Sequence, residues 1–258
     1  MALLSRVLLT VMCAAPALDA AAVEAPASDP LLSAAVETLQ PAQVRQMQQR
    51  LSDWPQLDHY RQRNAALPAP RAGTPRVVFF GDSITEGWGE TDSPRFFPGK
   101  GYLNRGISGQ TTAQMLLRFR QDVIALQPAL VVILAGTNDI AGNTGPASQA
   151  MIEDNLHSMV ELAQAHGIKV VLASVLPVSA YPWRPGLQPA GQVRALNDAL
   201  KRYAAENTLV YLDYHAAMQN SAGGLDTELA DDGVHPTAAG YARMAPLAEA
   251  AIATALKR

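Results

Sequence analysis

The chain has 258 residues, of which 48% are hydrophobic and 17% are charged, and its formal net charge at pH 7 is −3. This length suits one globular domain with a sizeable core, so a second domain is not required. The charged residues form no basic or acidic blocks, which argues against a nucleic-acid partner and against an anionic membrane surface. We therefore expect a small, neutral or weakly charged substrate.

The beginning of the chain is typical of an export signal. Arg6 precedes an apolar run over residues 7–18, which is too short to span a bilayer, and small residues follow it. We expect a signal peptide over residues 1–22, cleavage between residues 20 and 25, and an exported protein, periplasmic or secreted. After cleavage no stable insertion into the membrane is expected.

The only cysteine of the chain, Cys13, lies inside this apolar run. The mature protein would then have no thiol and no disulfide, which suits an oxidising compartment. An alternative interpretation makes Cys13 the attachment site of a lipid. Met12 argues against it, because lipoprotein signals usually have a small residue at that position.

We expect residues 26–72 to form a helical extension. The main domain then covers residues 73–258. Two prolines, Pro41 and Pro55, interrupt the extension, and its apolar residues recur at roughly helical intervals: Val44, Met47, Leu51, Trp54, Leu57 and Tyr60. We expect it to pack on the domain. A contribution to a substrate pocket or to an oligomer contact is the alternative, and the sequence leaves the oligomeric state open.

Short runs of β-branched and aromatic residues predict strands that are buried on both faces of a parallel sheet. The clear runs are residues 76–80, 130–134, 168–172 and 208–212, with residues 102–107 as a weaker fifth candidate. Between them apolar residues recur at helical spacing, as at Met115, Phe119 and Val123. Alternating strands and helices imply right-handed crossovers with helices on both faces. The sequence predicts a three-layer α/β/α sandwich around a five-stranded parallel sheet.

Polar, glycine-containing loops follow three of the predicted strands, at residues 81–83, 108–109 and 136–139. Ligands of such open sheets bind outside the carboxyl ends of the strands. A fourth loop, residues 177–186, contains Tyr181 and Trp183. We expect it to wall a substrate pocket, and the other candidates for that pocket are Asp82 and Trp88.

Ser83 and His235 are candidates for nucleophilic catalysis. A serine hydroxyl is a weak nucleophile, so it needs a histidine to take its proton and usually a carboxylate to fix the tautomer of that histidine. Asp232 lies three residues before His235. This interval allows the carboxylate to accept the Nδ1 proton and leaves Nε2 free to face Ser83. A rival carboxylate and imidazole pair, Asp213 and His215, follows the last predicted strand.

Four short motifs, in this order over residues 76–245, resemble those of the GDSL esterases, also called SGNH hydrolases. The motifs are Gly81-Asp82-Ser83-Ile84-Thr85, Gly106-Ile107-Ser108-Gly109, Gly136-Thr137-Asn138-Asp139 and Asp232-Gly233-Val234-His235. The resemblance implies a flavodoxin-like SGNH hydrolase fold and ester hydrolysis with Ser83 as nucleophile, His235 as base and Asp232 as orienting carboxylate. It also implies an oxyanion hole made by the backbone N–H groups of Ser83 and Gly109 and by the side-chain amide of Asn138.

The identity of the substrate stays open at this level. We favour short-chain esters, above all acetyl esters, of a small molecule or a saccharide. A lysophospholipase or a thioesterase of the same family is the alternative. A non-catalytic carbohydrate- or phosphate-binding module is the alternative of another class, although the three loops contain no Lys or Arg. Neither a cofactor nor a metal is expected, since no two histidines or acids have the spacing of metal ligands.

Overall fold

The computed structural model describes residues 38–89 and 95–258. The predicted signal peptide, Cys13 and the first part of the predicted extension, residues 26–37, lie outside the described residues. Within the described ranges, no helix combines the length and the apolar character needed to cross a membrane.

The middle layer is a parallel sheet of five strands in the order β2-β1-β3-β4-β5. The strands are β1 (Val77–Gly81), β2 (Tyr102–Gly106), β3 (Leu130–Leu134), β4 (Lys169–Ala173) and β5 (Val210–Leu212). The five predicted strands are thus confirmed, including the weak candidate that became β2. Because β1 pairs with β2 on one side and β3 on the other, the chain reverses direction across the sheet at β1. The loops after β1, β2 and β3 therefore lie at the crevice where such folds bind ligands.

Helices cover both faces of this sheet. They are α1 (Pro41–Ser52), α2 (Arg61–Ala65), α3 (Ser83–Glu86), α4 (Thr112–Asp122), α5 (Thr137–Ile140), α6 (Gln149–Ala165), α7 (Ala190–Glu206), α8 (Tyr214–Met218) and α9 (Ala238–Lys257). Alternate residues of β1 point to opposite faces. Val78 and Phe80 pack in a core with α4, α6 and α7, while Val77 and Phe79 pack in a second core with α8 and α9. The predicted three-layer α/β/α sandwich is confirmed.

The N-terminal segment contacts the domain through the turns that follow α1. No residue of α1 is buried, and Leu51 is 78% exposed. Tyr60, by contrast, is buried, and its hydroxyl donates to the carbonyl of Gly106 at 2.5 Å. The side-chain amide of Gln114 donates to the carbonyl of Trp54 at 2.7 Å. The helical pattern predicted through Tyr60 is therefore interrupted after Ser52, and the turns rather than the helix face make the contact.

Candidate active site

Ser83, His235 and Asp232 meet at the carboxyl edge of the sheet. Ser83 is the first residue of α3, directly after β1, and its Oγ lies 2.9 Å from Nε2 of His235, 152 residues later in the chain. Nδ1 of His235 lies 2.6 Å from Oδ2 of Asp232. A continuous chain of hydrogen bonds thus runs from the hydroxyl through the imidazole to the carboxylate. This arrangement can withdraw the serine proton as the oxygen attacks a carbonyl carbon.

The loop that carries Asp232 and His235 holds the carboxylate in place. Oδ1 of Asp232 accepts the backbone N–H groups of Val234 at 2.9 Å and of His235 at 2.8 Å. Burial by itself would raise the pKa of Asp232, but the hydrogen bonds from the side chain and backbone of His235 and from Val234 outweigh it and hold this pKa below the usual range. Thr237 then begins α9, because its side chain accepts the N–H of Gly240 at 3.2 Å.

Gly109 and Asn138 follow the next two strands along the chain, β2 and β3. Gly109 has φ of +76°, where a side chain would be strained, so the backbone conformation itself requires glycine. Asn138 is buried in the short helix α5 after β3. Its Nδ2 donates to the carbonyl of Gln110 at 3.0 Å, and its Oδ1 accepts from Nδ2 of Asn143 at 2.8 Å.

Asp82 is a fully buried carboxyl group next to Ser83. Its Oδ1 accepts the N–H of Ile84 at 3.0 Å and so caps α3, while Oδ2 has no hydrogen-bond partner within the described part of the chain. Burial raises the pKa of Asp82 to about 7, against the lowering effects of the Ile84 hydrogen bond and of His235. Asp82 therefore has no surface with which to line a pocket, in contrast to the sequence expectation.

Of the two aromatic residues in the loop over residues 177–186, Trp183 lies beside the imidazole of His235 and Tyr181 packs against Trp183. The ring centroid of Trp183 is 5.9 Å from that of His235, and the Trp183 side chain is 37% exposed. Tyr181 packs behind it at 5.2 Å and is only 1% exposed. The Tyr181 hydroxyl donates to the carbonyl of Thr137 at 3.0 Å. Trp183 therefore offers the aromatic face, and Tyr181 supports it.

Trp88 and the rival pair of Asp213 and His215 make other contacts. Trp88 is 4% exposed and packs among core rings that include Phe79 and Tyr241, so it contributes to the second core and leaves no surface for a substrate. Asp213 caps α8 by accepting the N–H of Ala216 at 2.9 Å, and it lies 3.4 Å from Nζ of Lys201. Both oxygens of the Asp213 carboxylate are therefore engaged by groups other than the His215 imidazole.

The carboxylate of Glu86, which the sequence did not indicate, supports the loop that contains Gly109. Glu86, the last residue of α3, accepts the backbone N–H of Ser108 at 2.8 Å and also its hydroxyl. Nε2 of His59, from the N-terminal segment, lies 3.3 Å from the other oxygen of Glu86. The close approach needs glycine at position 106, since a Cβ there would lie 2.1 Å from the backbone nitrogen of Glu86. No local sequence signal links these residues.

Comparisons with known proteins identify the family of the chain. Residues 79–243, more than half of the chain, match the GDSL-like Lipase/Acylhydrolase family. The crystal structure of a GDSL-like lipase from Bacteroides thetaiotaomicron is 45% identical in sequence, covers 79% of this chain and 98% of its own, and superposes with a TM-score of 0.72.

Two curated relatives match a part of the chain. The uncharacterized lipoprotein YqeF of Bacillus subtilis is 36% identical over 118 residues, or 40% of this chain. The acetylxylan esterase of Xylanibacter ruminicola is 26% identical over 226 residues, or 72% of this chain. The chain spans about half the length of these two relatives, 49% and 45% respectively. The domain around Ser83 is a carboxylic ester hydrolase domain, and the chain belongs to the GDSL-like lipase/acylhydrolase family.

Proposed function

We propose that the protein is a serine ester hydrolase in which Ser83 is the nucleophile, His235 the general base and Asp232 the residue that orients it. The observation that carries the proposal is the 2.9 Å contact between Oγ of Ser83 and Nε2 of His235. As Oγ attacks the ester carbonyl, the imidazole takes its proton, and the imidazolium then gives that proton to the departing alcohol. A water molecule repeats the sequence on the acyl-enzyme and releases the acid.

We further propose that three groups stabilise the negative oxygen of the tetrahedral intermediate. They are the backbone N–H groups of Ser83 and Gly109 and the side-chain amide of Asn138. An amide nitrogen has two N–H bonds, and the carbonyl of Gln110 takes one from Asn138, so the second is left to donate to the substrate. Removal of one such donor typically costs about 10²- to 10³-fold in kcat.

For the substrate we propose short-chain esters, with acetyl esters of a saccharide or a small alcohol favoured. The exposed ring of Trp183 beside His235 supports this proposal, because aromatic faces suit stacking on the apolar face of a sugar. The similarity to an acetylxylan esterase supports it as well.

Paired alanine substitutions test the proposed reaction. Ser83→Ala and His235→Ala should each lower kcat on p-nitrophenyl acetate by at least about 10⁴-fold without loss of the fold. Ser158→Ala and His166→Ala, in or next to α6, are the matched controls and should keep full activity. Retention of more than a few per cent of activity by either first variant would refute the assignment. A binding module would instead show no serine-dependent turnover in the parent protein.

We also propose the organisation of the whole chain as a signal peptide at residues 1–22, an extension at residues 26–72 and a hydrolase domain at residues 73–258. The apolar run over residues 7–18 supports export, and the lipoprotein relative keeps lipid attachment at Cys13 as the alternative. The intact mass of the exported protein decides between them. A chain that starts between residues 20 and 25 supports the proposal, whereas a lipid-modified chain that starts at Cys13 contradicts it.

A further inference from the structure

Asn143, just after the short helix α5, joins the exposed Trp183 to the proposed oxyanion hole. The indole Nε1–H of Trp183 donates to Oδ1 of Asn143 at 3.2 Å. Nδ2 of Asn143 donates to Oδ1 of Asn138 at 2.8 Å and lies 3.4 Å from the carbonyl oxygen of Gly109. Every polar atom of the Asn143 side chain is thus used between the aromatic wall and the two loops of the site.

The three hydrogen bonds that link Trp183 to the carbonyl of Gln110 all run in one direction. Trp183 donates to Asn143, Asn143 donates to Asn138, and Asn138 donates to the carbonyl of Gln110. An indole N–H can only donate and a backbone carbonyl can only accept. The Trp183 indole and the Gln110 carbonyl therefore fix the orientation of both asparagine amides between them. A flip of Asn138 would oppose two oxygens at Gln110 and two N–H groups at Asn143.

We propose that Asn143 is a positioning residue for the oxyanion hole, which rests on the proposed function of Ser83 and Asn138. Asn143 holds the Asn138 amide with its nitrogen towards the carbonyl of Gln110, which leaves the second N–H of that nitrogen for the oxyanion, and Trp183 holds Asn143. The same hydrogen bonds connect the oxyanion-hole donors to Trp183, the aromatic side chain that we place against the alcohol part of the ester. Arg184 reinforces this link, because its guanidinium donates to the carbonyls of Ala141 and Gly142 at 2.8 Å.

Substitutions at Asn143 should reduce turnover more than substrate binding. Asn143→Ala removes the donor and should lower kcat on p-nitrophenyl acetate by about 10- to 100-fold, with KM changed less than about threefold, since a misplaced group acts mainly in the transition state. Asn143→Asp should lower kcat further, because its carboxylate still accepts from Trp183 but opposes Oδ1 of Asn138 and the developing oxyanion. Melting temperatures show whether each variant is folded. A kcat of Asn143→Asp that equals or exceeds that of Asn143→Ala contradicts the proposal.

A double-mutant cycle separates positioning through Asn138 from a general structural effect. In the background of Asn138→Ala, the further change Asn143→Ala should alter kcat by less than about twofold, because the residue it orients is already absent. An equal loss in both backgrounds overturns the proposal. Trp183→Phe, which keeps a ring but loses the N–H, should lower kcat only while Asn143 is present.

A measurement that needs no turnover completes the test. The side-chain ¹⁵N amide signals of Asn138, assigned by their loss in Asn138→Ala, should shift in Asn143→Ala, and unchanged signals contradict the proposal. If the parent protein showed no activity that depends on Ser83, the proposed function would instead be contradicted. Full activity of the Asn143 variants, together with inactivity of Ser83→Ala, would contradict this inference alone.

Discussion

The change Asp232→Asn tests the proposed role of the carboxylate, because the surroundings determine which way the new amide must face. Oδ1 of Asp232 accepts two backbone N–H groups, at 2.9 Å and 2.8 Å. An NH₂ group at that position would leave both donors unpaired, at a cost of about 1–3 kcal/mol each. The amide oxygen should therefore stay there, and the nitrogen should take the place of Oδ2, which is 2.6 Å from Nδ1 of His235.

The new NH₂ group donates to Nδ1, so His235 must carry its own proton on Nε2, which faces Ser83. An imidazole in this tautomer cannot accept the serine proton. We expect kcat to fall by about 10⁴-fold, or about 5.5 kcal/mol at about 1.4 kcal/mol for each tenfold change. The melting temperature should change little, because the loop keeps both backbone hydrogen bonds.

The assay is kcat on p-nitrophenyl acetate at pH 7 to 8, together with thermal melting of parent and variant. If the amide flipped instead, His235 would keep its productive tautomer, so the loss of kcat would be small and the loss of stability large. That outcome would contradict the predicted orientation of the amide. A kcat within about 100-fold of the parent at unchanged melting temperature would contradict the proposed role of Asp232, because this carboxylate would then not set the tautomer.

Three further predictions, two on substitutions and one on substrates, can be tested independently. Asp82 has a pKa of about 7 in the fold and 3.8 ordinarily, so between these values only the native state holds the proton, and the parent should lose stability as pH rises from about 4 to 7. Asp82→Asn should lose less stability over this range, because only the part due to Asp139, whose pKa burial raises to about 6, is left; the difference is at most about 4 kcal/mol above pH 7 by urea unfolding, and parallel pH profiles would contradict it. Glu86→Ala removes the oxygen that accepts both Ser108 donors and should lower kcat about tenfold, while the exposed Glu161→Ala should not; equal activities would remove Glu86 from the support of Gly109. The value of kcat/KM should fall steeply from acetyl to octanoyl esters, and a preference for the longer chain would overturn the proposed substrate class.

The strands and the loops of the site could be predicted because their signals are local. The β-branched runs mark the buried strands, and parallel pairing brings their carboxyl ends to one edge whatever the details of packing. The position of Ser83 at this edge follows from its place after β1, whereas no strand precedes Asp232 and His235, and their place beside Ser83 was expected from the resemblance of their motif. The N-cap of α9 at Thr237 is likewise a local signal.

Burial of single side chains could not be predicted in the same way. Trp88 follows the motif around Ser83, yet the turn after α3 directs it into the core against Phe79, a contact that no sequence spacing reveals. Asp82 looks like a polar loop residue, but it is enclosed once the neighbouring strands and helices are packed around it. The extension shows apolar residues at helical intervals, yet Asp53 begins a series of turns and the contacts follow those turns.

The supporting contacts of the site depend on loops that are distant in sequence. Glu86 meets Ser108 only because β2 pairs beside β1, and Asn143 meets Trp183 only because the loop after β4 folds back over α5. A pair of asparagines five residues apart was the one local hint of the link between Asn138 and Asn143, and many loops contain such pairs.

Covalent labelling with a fluorophosphonate, followed by peptide mass mapping, shows directly whether Ser83 is the activated nucleophile. We expect one adduct per chain, on Ser83, absent in Ser83→Ala and formed at least about 10³-fold more slowly in His235→Ala. An adduct on another serine, no adduct at all, or labelling of His235→Ala at the rate of the parent protein would contradict this assignment.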